Sequence, residues 1–517
     1  MPDVLRLEVR EFTDLTRWRW TLTDAAGAFL ADHEVRLDPQ AERFEAFTAL
    51  HDYVSWHAAP DKRAAEEARI VTGLGDWIGS EVFGDAIGDA LVKRSPVTIQ
   101  AILPPGAEAL AYLPLEAARV RGRSLAGHGI TLVIRPRAEH ASAAVPGPQH
   151  EPPPGDRLRV LGLFSLPEGG SALNLRRERQ SLVQLIRGIA AAGRAADIRV
   201  LQYGVTRDRL RDVLEEAEGW DVIHVSGHGT PGELVLETEA GTPDLISAGD
   251  LADLLDTARG RVRLVTLSAC SSAALTANEQ RRLLGLPAGE DQNHPSTERI
   301  VATAPSPAPA PGQSSAPSRA PAPGTLATEL ADRLGCAVLA MRFPVGDEFA
   351  IALAGKLYDL LARQGQPLPR AVALALSHLT YHANRRYPAL SLVAPAIFGA
   401  TAANLTLKAP ERTGPASYAT GTLKMAGFPP QPDRFVGRTA VMARSSAALA
   451  ADSGVPGVLL QACPAAARPP APWNSPTPTS TPSTASSGSR PPTRAPPSTP
   501  PSPTSPSPWN ATSPASG

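Results

Sequence analysis

Residues 222–229 read VIHVSGHG, an apolar run that ends in a glycine-flanked histidine, and residues 264–270 read LVTLSAC, a second apolar run that ends in a cysteine. Each run is short, rich in Val, Leu and Ile, and bounded by small residues, the pattern of a strand buried on both faces. The same alternation of runs continues on either side. Leu158–Leu166 and Ile198–Val205 read as further strands. Arg177–Ala192 has helical spacing through Leu182, Leu185, Ile186 and Ile189. Thr206 is placed to cap a helix carrying Leu210, Val213 and Leu214, and Ser247 to cap one over Ser247–Thr257. Glu233–Glu237 reads as a short edge strand. Downstream, Leu326–Leu334, Glu348–Arg363 and Pro369–Tyr381 read as helices and Cys336–Phe343 as a strand. Strands alternating with helices imply an α/β fold, a parallel-rich sheet with helices on both faces.

Open parallel sheets present ligands beyond the carboxyl ends of their strands. Two such ends carry reactive groups here, His228 and Cys270. Singly, a cysteine after a strand is a small buried hydrophobe and a histidine a satisfied polar group. Brought together on one sheet edge they make a nucleophile and its base, because imidazole takes the thiol proton and the ion pair lowers the cysteine pKa. Gly227 and Gly229 let the backbone turn and approach a substrate, and the amides of Gly229 and Cys270 are candidate oxyanion donors. His224, His228 and Cys270 also offer zinc-ligand chemistry. Strand alternation instead puts His224 in the body of its strand as a core histidine, which argues against the zinc site.

The rest of the chain sets bounds. It has 517 residues, enough for more than one domain, and a formal net charge of −1, which gives no field to draw it to nucleic acid or a membrane. Its three cysteines, Cys270, Cys336 and Cys463, form neither a disulfide framework nor a C-x-x-C metal signature, which suits the cytoplasm. Met1 to Phe12 lacks the regions of a signal peptide, and no apolar run approaches about 18 residues. Residues 1–137 read as a small α+β region with strands at Leu5–Val9, Arg17–Thr23, Val97–Leu103 and Ile130–Ile134. Residues 138–155 read as a linker, and 287–324, carrying APSPAPAPGQSSAPSRAPAPG, as a disordered insertion.

The two runs that open this reading resemble the histidine and cysteine motifs of CHAT domains, caspase-like relatives of caspases and separases. LATELADRLGCAVLAMRFPVGDEFAIALAGKLYDLLARQG at 326–365 is similar to that family's C-terminal half, APAIFGA at 394–400 to its closing strand, and AYLPLEAARVRGRSLAGHGITLVI from 111 to the stretch that often precedes it. The resemblance implies a caspase-like unit over 156–404, a cysteine endopeptidase with no cofactor, a protein or peptide substrate, and a place in signalling or defence. It implies His228 as general base, Cys270 as nucleophile and Gly229 in the oxyanion hole. Arg342, Phe343 and Asp347 are expected at the substrate cleft, with Phe343 where the family commonly has Trp; Asp347 and Glu348 follow the Pro344-Val345 turn and are equally explained as acids at a helix N-terminus. Because 287–324 falls where caspases join their two subunits, the resemblance implies a maturation cleavage there; an inert spacer is the plainer reading. A catalytically silent scaffold or adaptor is the competing reading of the whole.

Past a linker at 405–434, FVGRTAVMARSSAALAADSGVPGVLLQ at 435–461 resembles the opening of a STAND-type NTPase. A P-loop should follow and does not. After Leu460 there is no Leu, Ile, Val, Met or Phe, and no acidic residue follows Asp452. Residues 462–517 read either as an out-of-frame tail, since back-translation with one added base permits a P-loop, or as a Pro/Ser/Thr-rich disordered tail. Both readings predict that this chain binds no nucleotide through it.

Overall fold

A computed structural model describes residues 3–136, 156–168, 173–216, 218–258, 260–274, 325–381 and 387–413, with Val441 and Ser445. The linker 138–155, the insertion 287–324, Cys463 and the tail 462–517 lie outside the described residues, as do most of 405–434 and, apart from those two positions, the NTPase-like stretch 435–461.

The main sheet has eleven strands. From edge to edge they run Phe29–Arg36, Arg17–Thr23, Asp3–Asp14, Val97–Leu103, Thr131–Pro136, Pro395–Phe398, Ala337–Met341, Leu264–Ala269, Val222–Gly227, Leu158–Phe164 and Ala196–Gln202. Pairing is parallel from Asp3–Asp14 through Pro395–Phe398 and again from Ala337–Met341 through Ala196–Gln202. The two parallel halves meet at one antiparallel seam, where Val338 pairs with Phe398 and Met341 with Pro395. The first three strands form an antiparallel meander at the edge. The expected fold class, a mostly parallel sheet flanked by helices, is the one observed.

Apolar sequence explains the central strands. Leu158–Phe164, Val222–Gly227 and Ala337–Met341 are buried along their whole length, as strands covered on both faces must be. The Leu175–Ala191 helix packs against the Asp347–Tyr358 helix, and Ala248–Asp256 against Leu326–Leu334. Thr206 and Ser247 cap their helices as the sequence predicts, accepting from Arg209 N and Asp250 N at 3.2 Å each. Glu233–Glu237 departs from its expected role at the edge of the main sheet. It is the middle strand of a separate three-stranded sheet between Gly229–Thr230 and Pro243–Ser247. That small sheet grows directly out of the His228 turn and covers it.

Candidate active site

The site is built on one strand pair. Val222–Gly227 and Leu264–Ala269 run parallel and in register, with His224 opposite Thr266, Ser226 opposite Ser268, and Gly227 opposite Ala269. His228 and Cys270 are the residues that directly follow this last register pair. Neighbouring strands lie about 4.8 Å apart, so residues far apart in sequence meet through the sheet. Period-two alternation places His224 and Ser226 on one face, and Thr266 and Ser268 on the same face of the adjoining strand.

The backbone explains the small residues around the pair. Gly229 lies against the cysteine turn: a side chain there would come within 2.9 Å of the Cys270 carbonyl oxygen and 3.2 Å of Ala269 Cβ. A side chain at Gly227 would come within 2.8 Å of the Ser165 carbonyl oxygen. Ser271, directly after the cysteine, has φ of 56°, a left-handed turn that costs a non-glycine residue energy and bends the chain away once Cys270 is presented. The His228 carbonyl accepts from Val235 N at 3.1 Å, so the small sheet holds the histidine turn. His228 is buried and Cys270 part-exposed. Cys336 is the opposite case. Burial pushes its thiol up to about 12, which leaves it neutral and inert at physiological pH.

Beneath the pair runs a buried polar column. Glu178, in the first turn of the Leu175–Ala191 helix, accepts from Ser226 Oγ at 2.5 Å through Oε2. Its Oε1 lies 3.1 Å from both His224 Nε2 and Ser268 Oγ. His224 Nδ1 lies 3.2 Å from the Tyr358 hydroxyl, which donates to Thr266 Oγ1 at 3.0 Å. His224 is fully buried, as alternation predicts, and both its ring nitrogens are engaged inside the core. Among the described residues no group of three or more His, Cys, Asp and Glu is arranged to hold a metal ion. From the sequence alone Glu178 stands out only as a member of the predicted Arg177–Ala192 helix. The signal was present, because Glu178 stands four residues before Leu182 on the apolar stripe of that helix, where an acid is out of place.

Arg342, Phe343 and Asp347 separate to two sides of the cysteine turn. Asp347 accepts from Asn174 N at 2.7 Å and lines, with Cys270, Glu178, Ser226 and Ser268, a cavity of about 20 Å³, room for one water molecule. Arg342 and Phe343 line a second cavity of about 180 Å³ on the other side, with Ser271, Pro231 and the Thr48–Asp52 stretch. The Arg342 guanidinium is committed: it is bidentate to Glu116 at 2.8 Å for each bond and donates to the Ala111 carbonyl at 2.8 Å. It therefore contributes a wall rather than a free charge.

Residues 75–289 match the family model of the CHAT domain, a span that includes both His228 and Cys270. No curated protein matches the chain. Among solved structures the chain is similar, at 11% identity and a TM-score of 0.34, to the Arg specific cysteine proteinase gingipain R, over 70% of this chain and 77% of that one. It is also similar, at 11% identity and a TM-score of 0.40, to a chain of the Saccharomyces cerevisiae separase–securin complex, over 77% of this chain and 30% of that one. No helix among the described residues is long and apolar enough to cross a membrane.

Proposed function

We propose that this chain is a caspase-like cysteine endopeptidase of the cytoplasm, with Cys270 as nucleophile and His228 as general base. The observation that supports the reading is the register of the two central strands, which pairs Gly227 with Ala269, the residues directly before His228 and Cys270. The cysteine is the part-exposed one of the pair, and the CHAT match spans both motifs. In this reading His228 takes the Cys270 proton, and the thiolate sulfur attacks the carbonyl carbon of the scissile bond. The oxyanion forms against the amides of Gly229 and Cys270. The imidazolium then gives its proton to the leaving amine, the C–N bond breaks, and a thioester remains on Cys270. His228 next deprotonates a water that attacks the thioester carbon, releasing the acid and restoring the thiol. Every step uses groups of the protein and water alone. Substrates are proteins or peptides, and neither nucleic acid nor nucleotide has a part.

The test pairs a peptide-library digest with labelling by a thiol-directed peptide ketone. Wild type is expected to cut a subset of the library and to take up the probe at Cys270. Cys270→Ala is expected to do neither, and His228→Ala to lose both by about a hundredfold or more. A folded wild-type chain that cuts nothing, with probe uptake unchanged by His228→Ala, would point to the silent scaffold instead.

A further inference from the structure

A carboxylate buried one strand repeat below a thiol–imidazole pair is costly unless it is fully hydrogen-bonded. Glu178 meets that condition. Both oxygens are engaged, by Ser226 Oγ on one side and by Ser268 Oγ and His224 Nε2 on the other. Its place in the first turn of the Leu175–Ala191 helix adds the favourable end of the helix dipole. The two serines belong to different strands and form a register pair, each two residues before His228 or Cys270 on its strand. One carboxylate therefore ties together the strand that ends in the histidine and the strand that ends in the cysteine. Glu178, Ser226, Ser268 and Cys270 line the same small cavity, so the tie reaches the wall beside the thiol. The helix that carries Glu178 is itself fixed, because Asn174 N just before it donates to Asp347 at the start of the Asp347–Tyr358 helix.

We propose that Glu178 is a positioning residue of the dyad: by holding Ser226 and Ser268 together it sets the spacing of the two strand ends at which thiol and imidazole exchange a proton. The proposal rests on the peptidase reading of His228 and Cys270. It opposes two alternatives with different signs. If Glu178 served only to satisfy buried polar groups, its loss would lower stability and leave the thiol unchanged. If it acted only through its charge, removing a negative group near a forming thiolate would lower the cysteine pKa and speed alkylation at low pH. A positioning role predicts the reverse, since a misplaced imidazole stabilises the thiolate less.

The experiment is the pH dependence of iodoacetamide alkylation on the full chain carrying Cys463→Ser, so that Cys270 and the inert Cys336 are the thiols present. Below its pKa a thiol loses about tenfold in thiolate for each unit by which that pKa rises. Glu178→Gln is expected to slow Cys270 alkylation at pH about 6.5 by about tenfold, to move the midpoint of the profile upward, and to converge with wild type at high pH. The double variant Ser226→Ala with Ser268→Ala removes the ties and keeps the acid. It is expected to shift the profile the same way, and it stands in should Glu178→Gln fail to fold. A rate that depends on His228 but is unchanged or raised in these variants overturns the role of Glu178. Equal rates in wild type and His228→Ala overturn the dyad reading and this proposal with it.

Discussion

At the scale of single residues, the structure turns two small features into tests. Gly229 has no room for a methyl group beside the Cys270 carbonyl. Gly229→Ala must push the histidine turn off the cysteine turn, and in the proposed dyad a misplacement on the order of 1 Å costs about a hundredfold in rate. We expect kcat/KM to fall by about that factor while urea unfolding shows a loss of only about 1–3 kcal/mol, the usual cost of overpacking. A variant of normal activity would show that the close approach at Gly229 does not matter. Cys336 gives a pH test whose sign is fixed. Its thiol is raised from 9.0 to about 12 by burial, so the fold favours the neutral form. That contribution to stability is whole below pH 9.0 and drains away as pH rises toward about 12. Urea midpoints of Cys336→Ala should therefore fall less steeply than those of wild type over this range; parallel curves would show that the thiol is not desolvated. The strands that lead to His228 and Cys270 were legible in the sequence because each is a short apolar run that ends in small residues. Glu178 was harder to see, because its meaning lies in partners 46 to 90 positions away that only the sheet brings to it.

At the scale of elements, local signals were read well and distant pairings were not. Strands at Arg17–Thr23 and Val97–Leu103, and the Thr206 and Ser247 caps, follow from alternation and cap chemistry within a few residues. The Pro243–Ser247 strand was not read, because its five residues include Pro and Asp and its pairing comes from Glu233–Glu237. Arg342 shows the same limit. A charged residue at the end of a strand suggests a cleft, yet its partner Glu116 lies 226 positions earlier, in the short Leu115–Ala117 helical turn. Arg342 and Glu116 are nearly withdrawn from solvent, with side chains 2% and 12% exposed. Removing one member of such a pair strands the other charge, at a cost of about 3–5 kcal/mol. Glu116→Ala is thus expected to lower the urea midpoint strongly. It should also loosen the Phe343–Pro344 wall beside Ser271, raising KM for peptides more than it lowers kcat. A neutral effect on stability would mean that the guanidinium finds water on relaxing.

At the scale of the whole molecule, the decisive fact is that the main sheet does not stop at the linker. Thr131–Pro136 pairs with Pro395–Phe398, so strands from residues 1–136 and from 156–413 form one continuous surface. Other ties cross the same divide. Gly399 N donates to the Ile134 carbonyl at 3.1 Å, Leu390 N to Glu67 Oε1 at 2.8 Å, and Thr131 Oγ1 to the Pro369 carbonyl at 2.8 Å. The Arg342–Glu116 pair is one more. The CHAT match begins at residue 75, inside the Arg63–Trp77 helix and well before the linker. Composition marks 138–155 as a break because its Pro, His, Gly and acidic residues follow no period; it could not show that Thr131–Pro136 and Leu158–Phe164 belong to one sheet, two places from the seam on one side and four on the other. A chain starting at residue 156 would expose Pro395–Phe398 as a bare apolar edge and leave Arg342 without its carboxylate, both routes to aggregation or unfolding. We therefore expect the 156–413 fragment to precipitate or to melt without a cooperative transition, and residues 3–136 and 156–413 to melt together in the full chain. Co-expression of residues 1–136 as a separate polypeptide should restore solubility, since the missing strand and the Glu116 carboxylate would then be supplied in trans. A 156–413 fragment that is soluble, melts cooperatively and takes up the Cys270 probe at the wild-type rate would show instead that the peptidase core is independent and that the N-terminal strands are an addition to it.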